Sequence, residues 1–367
     1  MKIRYAINAR IPTPRAHGFQ VMKTCEALAR AGAEVELVVP RRHLFVTEDP
    51  FDYYTVEPIF KITYLSTIEF SWGGASRWFA LQTLAFTFSL AHYVKRHHDS
   101  SILYVRGELG WLLPLMSRAS FIWESHIRPR RFRAEARAVR HAHGVVVVTK
   151  RYCEDLIRDY GLPREAVLVA PDGVDLTEFS PDRGKHEARK KLGLPSDKKF
   201  AIYVGSDVPW KGVHYLREAS QFLPDNYEIV FVGLVEPRGA GRGERYVGMR
   251  PFKERALWMH AADALVLTGD PSSETARYYT SPIKLFEYMA ARRPIVATDL
   301  PSFRDILSEE SAVLVTPGDS RALADGIVRA FTGEGRDARV EKAWQAVQAY
   351  SWQRRAERIL TFIRDHT

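Results

Sequence analysis

The residues from Tyr278 to Asp299 combine types and spacing suited to holding an anion. Ser281-Pro282 reads as a turn that opens a helix, Lys284 falls in the first turn, and Glu287 follows about one and a half turns on, at roughly 1.5 Å per residue. The start of a helix presents backbone N–H groups and the positive end of its dipole, so the Thr280–Ile283 main chain can bind a diphosphate. Proline fits the beginning of a helix, where its missing N–H costs nothing. A ribose carried by that diphosphate brings its hydroxyls toward Glu287, and a carboxylate on an otherwise apolar helix needs such a reason. Lys211-Gly212 offers a second cation at a strand-to-helix turn after Gly205-Ser206. A departing diphosphate must be neutralised by a metal or by fixed positive groups. No aspartate pair with metal-binding spacing is apparent, whereas Lys211, Lys284 and the helix start are present, so no metal and no cofactor is expected.

Elements that could position these groups are visible on either side. Ile3–Ala9 reads as a strand, Phe19–Arg30 as a helix with Val21, Cys25, Leu28 and Ala29 on one face, and Val35–Val39 as a short buried strand. Leu103–Val105, Phe121–Trp123 and Val145–Val148 continue the strands. A second series begins at Phe200–Val204 and runs through Glu228–Val232, Ala264–Leu267, Ile295–Ala297 and Ala312–Val315, with helices from about Val213 and around Glu287. Two complete alternations predict an α/β protein of two doubly wound, Rossmann-like domains. The expected division is 1–170 and 171–350, in the Pro- and Gly-rich stretch Pro171 to Gly184, with a final helix from Ser351. Pro237–Gly243 reads as a mobile loop. In open α/β sheets ligands bind beyond the carboxyl ends of the strands, which draws attention to Arg106, Glu124 and His126.

With 367 residues the chain exceeds one ordinary core. No run of about 18 uninterrupted apolar residues occurs, so no transmembrane helix is expected. The charged start Met1–Ile7 reads as a strand rather than a signal peptide. Cys25 and Cys153 cannot make a metal cluster by themselves and read as reduced thiols, which points to the cytoplasm. The net charge of +9 is uneven: residues 1–170 hold 24 Lys and Arg against 16 Asp and Glu, and the remainder 29 against 28. Such asymmetry suits an anionic partner of the first half.

Five pieces in order resemble family 4 of the retaining glycosyltransferases, which have the GT-B architecture: Ala16–Lys23, Tyr104–Arg106 with Trp123–His126, Val169–Asp175, Val204–Gly212, and Ser281–Asp299. The last fits a subset with the pattern Ser-Pro-x-Lys-Leu-Phe-Glu-Tyr. The resemblance implies two facing domains, a last helix crossing back to the first, and transfer of a sugar with retention from a UDP- or GDP-sugar to a glycan or glycolipid acceptor. UDP or GDP is then a product. It implies that Lys211 binds phosphate, Glu287 the ribose, and His126 the transferring sugar. It implies a donor site completed by Gly18, Gly205, Ser206, Tyr279, Thr280, Ser281, Pro282, Ile283 and Lys284, with the base on the loop at Val247 and Gly248. His17, Arg106, Glu124 and Arg128 are the acceptor candidates. Two departures stand out: Ser206 replaces the family's arginine, and Tyr279 the first of its paired glutamates.

Two other classes compete. A dinucleotide-dependent oxidoreductase lacks support, because no Gly-x-Gly-x-x-Gly follows the first strand. A degenerate, non-catalytic nucleotide-sugar binder or a basic nucleic-acid binder is compatible with the two departures, although no nucleic acid is expected. The aromatic stretch Trp78–Val94 with Lys95-Arg96, and the arginines at 128, 130, 131, 133, 137 and 140, suit peripheral contact with an anionic membrane on its inner face, or cover for an anionic acceptor.

Overall fold

The computed structural model describes residues 1–43, 46–68, 75–97, 99–129, 132–180, 184–237 and 240–367. It divides into two compact units, Met1–Pro171 with Trp352–Thr367, and Asp172–Ser351. Arg130, Arg131 and Pro181 lie outside the described residues, as does part of the Pro237–Gly243 stretch.

In the first unit seven parallel strands are β1 (Lys2–Ala6), β2 (Glu34–Arg41), β3 (Lys61–Ser66), β4 (Ile102–Arg106), β5 (Phe121–Ser125), β6 (Ala142–Val147) and β7 (Val167–Val169), in the order β3-β2-β1-β4-β5-β6-β7. The order reverses between β1 and β4, the switch point at which ligands of such sheets bind. Helix Ala16–Arg30 leaves the carboxyl side of β1, and the final helix Trp352–His366 packs against it. Phe19 meets Trp352 with ring centroids 6.5 Å apart.

The second unit holds β8 (Lys199–Val204), β9 (Tyr227–Val232), β10 (Glu244–Gly248), β11 (Ala264–Leu267), β12 (Ile295–Thr298) and β13 (Val313–Val315), ordered β10-β9-β8-β11-β12-β13. Period-two alternation places Phe200 and Ile202 in one apolar layer and Ala201 and Tyr203 in the other. Both faces are therefore covered, as a parallel sheet requires. Each unit is Rossmann-like. Sequence periodicity missed two edge strands, β3 and β10. β3 mixes polar and apolar residues and is half-buried, and β10 carries charges at Glu244 and Arg245.

Candidate active site

In the second unit Lys211, Lys284 and Ser206 come together at the carboxyl end of β8. Gly212 has φ +62°, and a Cβ there would come within 2.9 Å of the Gly269 backbone, so only glycine closes this turn. The turn presents Lys211, whose Nζ donates to Ser206 Oγ at 2.8 Å. Burial lowers the Lys211 pKa, opposed by Asp207.

Helix Ile283–Ala290 begins at Pro282 without a side-chain cap, so its first-turn donors are of the kind an anion satisfies. Lys284 is 9% exposed, and its Nζ has no hydrogen-bond partner. The ammonium stands 3.6 Å from the centroid of the Tyr203 ring, and a Cβ on Gly205 would lie 3.5 Å from it. Burial first, and the Lys211 charge second, hold the Lys284 pKa well below its ordinary value; Glu287 opposes both. A buried amine resting on an aromatic face and facing a second amine suits an incoming anion.

Glu287, on the same helix, is buried and accepts from Arg255 Nη1 at 2.5 Å through Oε1. Arg255 Nη2 also bonds Glu178 at 3.1 and 3.2 Å. Burial raises the Glu287 pKa, Arg255 lowers it, and Glu178 adds to the rise. Ser281 Oγ accepts from the Asp172 amide at 3.1 Å. Tyr279 and Thr280 are each 8% exposed, packed at the end of helix Glu274–Tyr278 and just after it.

Two expectations need correction. Val247 and Gly248 are in the edge strand β10, not a loop. The Gly248 N–H donates to Leu234 O at 3.1 Å and its carbonyl accepts from Gly233 N–H at 2.8 Å, backbone bonds just beyond the end of β9. Gly18 is inside helix Ala16–Arg30 rather than in a loop; a Cβ there would collide with the Tyr54 hydroxyl and approach Thr13 Cγ2 to 2.6 Å. Its lack of a side chain makes room for Tyr54, whose hydroxyl bonds both the N–H (2.7 Å) and the carbonyl (2.8 Å) of Thr13.

The first unit gathers a second set at the ends of β1, β4 and β5. Glu124 is fully buried. Its Oε2 accepts from Tyr5 Oη at 2.6 Å, and its Oε1 from Arg355 Nη2 at 2.6 Å and His126 Nε2 at 2.6 Å. Burial would raise the Glu124 pKa, but Arg355, then His126 and Arg106, pull it well below the ordinary carboxylate range. Arg106 donates to Gln20 Oε1. His17, in the first turn of helix Ala16–Arg30, has its pKa lowered to about 4 by burial, Arg106, Arg15 and His126. Arg128 turns elsewhere: it pairs with Glu135 at 3.1 Å, Asp155 at 3.3 Å and Asp159 at 2.5 Å. These three carboxylates balance its charge within the unit.

Arg255, Tyr203, Gln20 and Arg355 were not singled out from the sequence. Arg355 had a readable signal, because it falls on the apolar stripe Trp352, Ala356, Ile359, Leu360, Ile363. The other three had none.

Residues 18–178 match the family described as Glycosyltransferase Family 4, and residues 198–332 match Glycosyl transferases group 1. Both families are glycosyltransferases, and the chain is a glycosyltransferase of the GT-B fold. This glycosyltransferase is 31% identical to the putative teichuronic acid biosynthesis glycosyltransferase TuaC of Bacillus subtilis, over 56% of this chain and 51% of that one, so it spans about half the length of that relative. It is 25% identical to a D-inositol 3-phosphate glycosyltransferase of Xylanimonas cellulosilytica, over 93% of this chain and 89% of the other. Among solved structures it resembles sucrose-phosphate synthase from Thermosynechococcus elongatus (TM-score 0.78, 19% identity, 99% and 98% of the two chains). It also resembles Anabaena Alr3699/HepE in complex with UDP-glucose (TM-score 0.76, 18% identity, 100% of each chain). At these identities the two structures establish the fold of the glycosyltransferase. Among its described residues no helix is long and apolar enough to cross a membrane.

Proposed function

We propose that the glycosyltransferase moves a sugar from a UDP- or GDP-sugar to a hydroxyl of a glycan or glycolipid acceptor, with retention and without a divalent ion, in building a cell-envelope or related glycan. The observation that carries this is the buried, unpartnered Lys284 ammonium beside Lys211 at an uncapped helix start. A diphosphate supplies the missing partner, and the two ammonium groups and first-turn amides take up the charge that develops on it. Glu287, with Oε1 tied to Arg255, offers Oε2 to the ribose diol. In the first unit, His126 is assigned to the transferring sugar, and His17 and Arg106 to the acceptor. The bond from the anomeric carbon to the phosphate oxygen breaks as the acceptor oxygen bonds on the same face. The acceptor proton passes to a phosphate oxygen, and the nucleoside diphosphate leaves.

Thermal shift with a panel of nucleotides and nucleotide sugars tests the donor assignment. A ligand at 100 times its dissociation constant stabilises by about 2.7 kcal/mol, so UDP or GDP raises the melting temperature with chelator present. Absence of any nucleotide response, or transfer abolished by chelator, overturns it. The configuration of the first-formed product, read by NMR, tests retention.

A membrane-bound acceptor fits helix Ala75–Arg96, which has its polarity reversed. Gln82, Thr83 and Thr87 face inward with Phe86 and Leu90, while Phe79, Leu81, Leu84 and Phe88 are 36–67% exposed. Thr83 and Thr87 bond back to the carbonyls of Phe79 and Thr83 at 2.7 Å, which satisfies them inside. The helix carries no acidic residue and ends in Lys95-Arg96. An anionic bilayer on the cytoplasmic side is the proposed occupant. Co-sedimentation with phosphatidylglycerol vesicles, lost in Leu84→Ser/Phe88→Ser, supports it; equal partition to phosphatidylcholine vesicles or none to either rejects it.

A further inference from the structure

The final helix carries one charge onto its buried stripe, and that charge ends beside the sugar-facing histidine proposed above. Arg355 is 4% exposed. Its three nitrogens reach Glu124 Oε1 at 2.6 Å, Thr24 Oγ1 at 3.3 Å and Pro171 O at 3.0 Å. The same oxygen of Glu124 takes His126 Nε2 at 2.6 Å. A buried carboxylate without a counter-charge either takes up a proton or draws one onto a neighbour.

We propose that Arg355 is a positioning residue that sets the protonation state of His126. Its guanidinium balances Glu124, so the pair is net neutral and the histidine ring need not be cationic to satisfy the carboxylate. Glu124 then accepts the Nε2–H of a neutral ring, the tautomer whose lone pair is on Nδ1. Tyr5 Oη holds the second carboxylate oxygen at 2.6 Å, which prevents Glu124 from rotating away. Among the described residues, Arg106, His17 and Tyr104 also face this cluster. Arg106 lies near enough to lower the pKa of both Glu124 and His17, and His17, lowered to about 4, is itself neutral at pH 7. Tyr104 faces Glu124 and stays protonated because it is buried.

The role of His126 in transfer rests on the reading under Proposed function, but its titration does not. The test is therefore spectroscopic. In protein labelled with ¹⁵N-histidine, the His126 signals report tautomer and midpoint directly. The wild type is expected to show a neutral Nε2–H ring at pH 7. Arg355→Gln should raise the His126 midpoint by about 1–3 units, the effect of an uncompensated carboxylate at this distance, and Arg355→Lys should restore most of it. Glu124→Gln should lower the midpoint and serves where Arg355→Gln does not fold. The pH profile of kcat/KM should follow the same shifts, while the UDP-induced thermal shift, which reads the second unit, stays as in the wild type. An unchanged midpoint in Arg355→Gln, or a raised one in Glu124→Gln, overturns the proposal. Midpoints that shift as expected in a protein showing no transfer to any acceptor keep this inference and reject the catalytic reading.

Discussion

Both units bury charge at the carboxyl ends of their sheets, but they treat it in opposite ways. In the first, Glu124 is surrounded by Arg355, His126 and Tyr5, and every contact is a short hydrogen bond. In the second, Lys284 is buried with an aromatic ring beneath it and no hydrogen-bond partner. A satisfied buried charge fixes geometry; an unsatisfied one is a standing cost that a ligand removes. The first arrangement suits a group that must hold still, the second a group whose partner arrives from solution.

Removing partners should therefore have opposite effects on stability in the two units. The largest effect is expected for Arg355→Met, which leaves Glu124 ionised and buried and should cost about 3–5 kcal/mol in chemical denaturation. Lys284→Met should do the reverse to the empty protein, leaving it as stable or more so, while abolishing the melting-temperature rise with UDP or GDP and lowering transfer about 10²–10³-fold. A clear loss of stability in Lys284→Met would show that the amine is an ordinary structural residue and collapse the contrast. His126→Ala should divide the readouts: transfer falls, whereas nucleotide binding is retained, and unaltered turnover would remove it from the chemistry.

Donor binding should depend on pH in a direction set by the lowered Lys284 pKa. A bound diphosphate favours the ammonium and raises that pKa, so binding takes up protons and weakens as pH rises through the value of the empty site. Calorimetry in buffers of different ionisation heat reads this uptake; none at any pH between 7 and 9 would mean Lys284 stays charged without its ligand. The smallest effect is expected for Ser206→Ala. It removes one neutral acceptor of the Lys211 ammonium, for about 0.5–1.5 kcal/mol in nucleotide affinity, and a loss as large as that of Lys284→Met would make Ser206 a full substitute for the arginine it replaces.

Much of this molecule could be read without coordinates. Both alternations, the strands carrying Arg106 and Glu124, the strand that Gly205 follows, and the helix starting at Ile283 follow from local rules: period-two burial in strands, apolar stripes on helices, and proline and glycine at ends and turns. The Lys211–Gly212 turn was legible through the family motif, and its geometry admits only glycine. The family motif pointed to Gly18 and Gly248, but a glycine looks the same in sequence whether it meets a ligand, a tyrosine or a sheet bond. What the structure adds is the Tyr54 side chain against Gly18 and backbone bonds from Gly248 to Gly233 and Leu234.

The sequence by itself determined which residues are charged and at which element ends they stand. Only the tertiary structure decided which of those charges have partners. Arg355 is 231 positions from Glu124, and Arg255 is 32 from Glu287. Within an apolar interior the cost of an isolated charge is met by whatever segment packs against it, however distant along the chain. That choice is made by packing, and it separates Glu124, which is held, from Lys284, which waits.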